Sequence, residues 1–227
     1  MQILRVWNRV NDLAKKDQSG YNTAAEFNDR IDQVQLEIVE KIYTYLGYTQ
    51  RAADILAPFI KTVLLASSNT GVVTPPSDCL HYLSLSYQYT DPISGIRWIP
   101  CRQLDSNEVD LTAQNPVRNT NPAQNRVQYF NENNLTTMCT NSSSQVKIRY
   151  VQRPAISQIA FTAQQSSGQY YQTYDPINSI DLLWNDAAFN LIVYLMLEKL
   201  GVEIREQFLV EFAQVLGIQR EMIHKND

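Results

Sequence analysis

Cys79 and His81 are the first residues here whose types and spacing could do chemistry. Two apart on an extended segment, they would share one face of a strand. A thiolate beside an imidazole can act as a nucleophile. Such a pair needs a third group to orient the imidazole, and the flanking residues supply none. A small buried cysteine beside a half-exposed histidine is the plainer reading. Asp105, Glu108 and Asp110 form a second cluster. On a short helix, Asp105 and Glu108 would share a face and could hold a hard cation, but no glycine turn shapes them into a calcium loop. A solvated carboxylate face explains them better. The seven glycines are scattered, with no G-x-G-x-x-G or G-x-x-x-x-G-K run to cradle phosphates. Asn134-Leu135-Thr136 and Asn141-Ser142-Ser143 match the glycosylation pattern, which means little without a secretion signal. The other histidine, His224, has no second histidine or paired cysteine near it in sequence. No cofactor and no metal are expected, and the polar residues are abundant but unfocused. The balance moves from enzyme toward a structural or interaction protein.

The composition agrees with that direction. Of 227 residues, 44% are hydrophobic and only 19% charged, so Asn, Gln, Ser and Thr must supply much of the polar surface. Thirteen tyrosines offer apolar bodies with hydroxyl tips, which suit a surface covered by a partner. The net charge of -4 comes without a Lys/Arg block. Direct nucleic-acid binding is therefore disfavoured, although DNA can pass through a lumen that does not attract it. Cys79, Cys101 and Cys139 are too few and too far apart for a disulfide framework or a zinc pattern. Free thiols in an intracellular setting are expected. Residues 1–12 lack the apolar run and cleavage site of a secretory signal. Residues 187–200 are interrupted by Asn190, Glu198 and Lys199, so no membrane span is expected.

The elements that would position these residues read as follows. Ile3, Val6, Trp7, Val10 and Leu13 predict an amphipathic helix ending near Lys16. Residues 23–46 carry the longest regular pattern, with Phe27, Ile31, Val34, Ile38, Ile42 and Tyr45 at steps of three or four. Thr23 and Glu26 can close a capping box, and Gly47 can end the helix. At about 35 Å this helix needs a partner along its length. Pro58 stops a short helix over 52–56. Alternating segments over 82–89, 96–100, 126–130, 135–140 and 146–150, separated by polar turns, predict an antiparallel sheet or small sandwich. Residues 104–111 suggest a short helix, and 115–124 a surface loop. Residues 155–176 are polar, with Tyr170, Tyr171 and Tyr174 clustered. Helix is expected again from Ser179, with Leu182, Leu183, Ala187, Leu191, Tyr194 and Leu195 as an apolar stripe, and once more over 204–216.

The expected class is α+β. N- and C-terminal helices, 1–57 and 177–227, pack as one bundle. An antiparallel β domain, 58–156, is inserted between them, and 157–176 forms a polar loop or arm.

Taken in order, the pieces resemble the head-to-tail connector, or neck ring, proteins of tailed bacteriophages, most closely those of crAss-like phages. The helix over 27–47 looks like the long second helix of their N-terminal pair. Asp54-Ile-Leu-Ala-Pro-Phe-Ile-Lys61 resembles the exit from that pair. Val72-Val-Thr-Pro-Pro-Ser-Asp78 with His81-Tyr-Leu83 resembles the entry to the strands. Val146-Lys-Ile-Arg-Tyr-Val-Gln-Arg-Pro154 resembles their strand end, and Ile180-Asp-Leu-Leu-Trp184 the return to the bundle. The order of pieces carries the likeness across nearly the whole chain. Two prolines after Thr74, and Cys79 where an aromatic is commoner, depart from the pattern and concern the local turn.

The resemblance implies a non-enzymatic virion protein of the neck. Twelve copies would form a ring below the portal protein, extend the DNA channel, help retain DNA and dock the tail. Its partners would be further copies of itself, the portal, adjacent neck or tail proteins, and double-stranded DNA passing without sequence-specific contact. Assembly would take place in the host cytoplasm. Tyr170, Tyr171 and Tyr174 are candidate contact anchors, or else a cover for this subunit's own sheet. Arg30, Glu37 and Lys41 are candidates for pairing between subunits, or else an ordinary solvated helix face. The rival readings are another phage adaptor or stopper, a Cys79–His81 hydrolase, and a cellular interaction module.

Overall fold

A computed structural model describes residues 1–16, 22–68, 71–93, 95–105, 108, 120–132, 135–138, 144–166 and 169–200. The expected helix over 204–216, Cys139, Asp110, His224 and residues 115–119 of the expected loop lie outside the described residues, as does much of 104–111. The fold is α+β, with a largely antiparallel sheet lying in sequence between the terminal helices. It divides into two compact units, one formed by Met1–Pro58 and Pro154–Asp227, the other by Phe59–Arg153.

In the first unit, α1 (Ile3–Lys16) buries Ile3, Val6, Val10 and Ala14 along one stripe. The long helix α2 (Ala24–Tyr43) begins with the expected capping box, in which Thr23 and Glu26 satisfy each other's end of the first turn. Regular helix closes at Tyr43. Bonds from Tyr45, Leu46 and Tyr48 to carbonyls three residues back then carry the chain through Gly47, whose φ of 101° favours glycine. α3 (Gln50–Leu56) is capped by Thr49 and ends in a 3-10 turn that accommodates Pro58. α4 (Phe189–Lys199) buries Leu191, Ile192, Val193, Leu195, Met196 and Leu197, so it is apolar on most sides. It meets both α1 and α2. A helix flanked twice loses its amphipathic stripe.

The helix expected from Ser179 does not form there. Residues 177–184 run without helix, and the next turn begins at Asp186. The reason lies in the would-be caps. The Ser179 hydroxyl accepts from Ala160 N at 2.9 Å, and Asp181 Oδ1 accepts from Ile3 N at 2.9 Å. Both are committed to other parts of the chain, and Leu182 N donates to Met1 O at 3.1 Å.

The segment 155–176 is not simply a loop. Phe161–Ser166 and Gln169–Tyr174, β8 and β9, pair as an antiparallel hairpin. The stretch before it is gripped by α2. Asn28 exchanges two bonds with the backbone of Ile159, at 2.8 and 3.0 Å, and Asp32 accepts from Ser157 N at 3.1 Å. Gln35 Nε2 reaches Asp32 at 3.2 Å and Ala155 O at 3.4 Å, while its Oε1 accepts from Trp184 Nε1 at 3.1 Å. Asn28, Asp32 and Gln35 are four and three residues apart, so they form one line along the helix.

The second unit holds β1 (Ile60–Ala66), β2 (Val72–Val73), β3 (Cys79–Asp91), β4 (Gly95–Gln103), β5 (Val127–Glu132), β6 (Leu135–Met138) and β7 (Gln145–Gln152). Their order is β1-β7-β3-β4-β5-β6-β2. All pairs are antiparallel except β4 with β5, which is parallel through Cys101↔Val127 to Gln103↔Tyr129. β4 therefore changes partner midway, from β3 up to Pro100 to β5 beyond it. The sheet also curls. Tyr82 on β3 and Thr136 on β6 share a 3.0 Å hydrogen bond. Three strand spacings separate β3 from β6, about 14 Å if the sheet were flat. Val73, Leu85, Tyr87, Ile99, Val127, Tyr129, Val146, Ile148 and Tyr150 consequently share one core, as in a small sandwich.

Candidate interaction surface

The sequence points to one thiol–imidazole pair and one carboxylate cluster; the structure parts the pair, and of the cluster it describes Asp105 and Glu108. β3 carries an irregularity against β7, pairing Cys79 with Gln152 but His81 with Val151. Neighbours on a strand face opposite ways, so the bulge sends Cys79 and His81 to opposite faces. Cys79 packs against the sandwich core. Burial, reinforced by the charge of Asp78, pushes its thiol up to about 11. Burial pushes Cys101 up to about 12. Both stay protonated near neutrality, the opposite of an activated nucleophile. In a Cys139→Ser background, alkylation of Cys79 in the folded chain at neutral pH should run roughly a hundredfold below its rate in denaturant, and Cys101 slower still. Mass spectrometry of quenched time points measures this. Equal rates folded and unfolded would show that the thiols are not held back.

Glu108 lies 3.5 Å from Arg102, and its amide donates to Asp105 O at 2.8 Å. Among the described residues no group of three or more His, Cys, Asp or Glu side chains is placed to hold a metal ion. No helix among the described residues is long and apolar enough to cross a membrane.

The residues read as contact candidates fall in two places. On α2, Arg30 is exposed. Glu37 accepts from Lys41 at 2.6 Å, one turn on, and from Lys199 at 2.8 Å at the end of α4. Lys199 is the partner that periodicity does not reveal, because it lies far away in sequence. The two lysines hold the Glu37 carboxyl below its ordinary range, Lys199 contributing most. A carboxylate with a lowered folded pKa stabilises the fold above its unfolded value and loses that contribution as pH falls through the folded one. Solvent screening keeps the contribution to about 0.5–1 kcal/mol. Glu37→Gln should therefore lower stability by that amount at pH 7. The wild-type and variant denaturation curves should converge as pH falls through the lowered pKa, and a gap that persists in acid would contradict the ion-pair origin.

Tyr170, Tyr171 and Tyr174 all lie on β9. Tyr170 pairs with Gln165 in the ladder, and its side chain lies outside the described residues. Tyr171 is 47% exposed. Tyr174 is half-buried, with its ring 6.2 Å from that of Phe161 in an edge contact, and Phe161 in turn packs 5.5 Å from Trp7. The base of the hairpin is tied further by Asp175. Its carboxylate accepts from Asn178 Nδ2 at 2.6 Å, Asn178 N at 3.2 Å and Ile177 N at 3.0 Å, and these bonds, led by the Asn178 side chain, hold it below its ordinary range.

Hydrophobic patterning alone misses the exposed apolar residues. In the second unit, β3 and β4 run on past their other partners as a two-stranded ribbon, since β7 reaches only Tyr87 and β5 begins only at Cys101. The ribbon carries Ile93, 96% exposed, and Ile96, 64% exposed. In the first unit, Ile177 is 90% exposed, just beyond β9. For Ile93 and Ile177 the only signal in sequence is an isoleucine inside a polar turn, while Ile96 lies on the strand expected over 96–100.

No protein-family model matches this chain, and no curated protein matches it.

Proposed function

We propose that this chain is a structural subunit of a phage head-to-tail connector, one copy in a closed ring below the portal. The observation that carries the reading is that each unit exposes a hairpin of distinct chemistry. One is the β3–β4 ribbon, which exposes Ile93 and Ile96 beside the Arg97–Asp91 ion pair. The other is the uncharged, tyrosine-bearing β8–β9 hairpin. A cyclic assembly needs two unlike contact edges on every subunit, and exposed hairpins such as these offer edges to a neighbouring copy or to an adjacent ring. The ordered resemblance of sequence segments supports the same reading. So does the bulge between Cys79 and His81, which turns the two side chains to opposite faces of β3. The ring would surround DNA without attracting it, in keeping with the net charge of -4.

The test is an electron-microscopy reconstruction of the native particle with no symmetry imposed on the neck. Density for this chain as a closed ring on the DNA axis, with twelve copies as the expected number, supports the proposal. Density off that axis, or none in the particle, overturns it.

A further inference from the structure

We infer that the β8–β9 hairpin is a self-pairing element, adding edge to edge to the same hairpin of a second copy of this chain. This deepens the ring reading and rests on it for the closure of the assembly. Among the described residues β8 and β9 pair only with each other, so both outer edges of the hairpin carry no further described strand. Residues 162–165 and 171–173 are all exposed. From Phe161 to Tyr174 the sequence has no charged residue and no proline. Open edges normally carry a lysine, a proline or a covering loop, because a bare edge is a template for another strand. Residues 161–174 supply neither the lysine nor the proline, and no described strand covers either edge.

Backbone geometry says which groups are offered. Asp175 N donates to Ala160 O at 2.9 Å, so Ala160 and Asp175 form a bonded pair. Bonded and non-bonded pairs alternate along an antiparallel ladder. With the register Thr162↔Thr173, Ala163↔Gln172 and Gln164↔Tyr171, Ala163 and Gln172 fall at the non-bonded positions. Their amides and carbonyls point outward, one on each edge. The two strands are six residues each. The β9 edge of one copy therefore matches the β8 edge of the next in length. A foreign strand would satisfy one edge and leave the other open. A head-to-tail series of identical hairpins satisfies both, and without charge nothing repels one copy from the next.

The full-length chain, concentrated to its solubility limit, is followed by sedimentation velocity and negative-stain microscopy alongside Ala163→Pro, Gln172→Pro and Gln172→Lys. Proline at 163 or 172 removes an outward amide and spares the internal ladder. Lysine at 172 blunts the edge without touching the backbone. Circular dichroism and the thermal midpoint check that each variant keeps its fold. The expected result is that the wild type associates and all three variants lose association over the same concentrations. Association by the variants equal to the wild type overturns the inference and leaves the ring reading standing. A wild type that stays monomeric throughout also overturns it, because the hairpins are then not self-pairing, and the particle reconstruction decides the ring separately. Open filaments that vanish in the variants support edge pairing and count against closure into a ring.

Discussion

Trp184→Ala is expected to destabilise the helical unit by about 3–5 kcal/mol. Trp184 is 1% exposed, and its indole N–H is the donor to Gln35 Oε1 at 3.1 Å. Truncation removes the largest fully buried side chain described in this chain and leaves a cavity beside α2. It also leaves Gln35, itself 1% exposed, with an acceptor that has lost its donor. Trp184→Phe separates these effects. It keeps most of the packed volume and removes only the donor, so about 1–3 kcal/mol should be lost. Hydrogen exchange of the α2 amides is the suitable probe, because it reports on this unit alone. Protection in Trp184→Ala equal to the wild type would show that the Trp184–Gln35 contact does not support α2.

Ile148→Ala should cost the second unit about 2–5 kcal/mol. β7 lies between β1 and β3, and Ile148 pairs with Val63 on one side and Leu85 on the other. It is fully buried in the shared core, where curled strands leave little room for neighbours to collapse into the gap. The control is Leu64→Ala on β1. Leu64 is 56% exposed, and its loss should change stability by about 0.5 kcal/mol or less. Urea denaturation followed by exchange at the β7 amides measures both. Equal losses at the two positions would contradict the placement of the core.

These contrasts also mark what could be read in advance. α2 was legible because three independent signals agree on it: the 3.6-residue apolar period, the Thr23–Glu26 box and Gly47 beyond its end. Strands β3, β4 and β7 were legible because each sets alternate residues on a core, which writes an alternation into the sequence. The β8–β9 hairpin wrote no such pattern. Both of its faces are largely exposed, so Thr, Gln and Tyr serve on either side. The false helix start at Ser179 had a different cause. Ser179 and Asp181 are good caps by type, but Ala160 N and Ile3 N hold them through contacts that no local window contains. The bulge between Cys79 and His81 was equally invisible, since a register shift belongs to the partner strand. Of the contact candidates, the sequence could place Glu37 and Lys41 one turn apart. It could not supply Lys199, and it carried no sign that Ile93 or Ile96 would be exposed.

The divided helical unit has a consequence for how the protein is made. α2 is complete at residue 43, while α4, which covers its apolar stripe, begins at residue 189. β1 is complete at residue 66 and waits for β7, which begins at residue 145. At translation speeds of about 5–20 residues per second, the first wait lasts roughly 7–30 s and the second roughly 4–16 s. Local helix forms in microseconds, so α1 and α2 emerge early with Val6, Val10, Ile31 and Ile38 facing water. Every residue of the sheet unit leaves the ribosome before the partner of α2 does. The nascent chain must therefore finish its β core first and keep α1 and α2 from aggregating until α4 arrives.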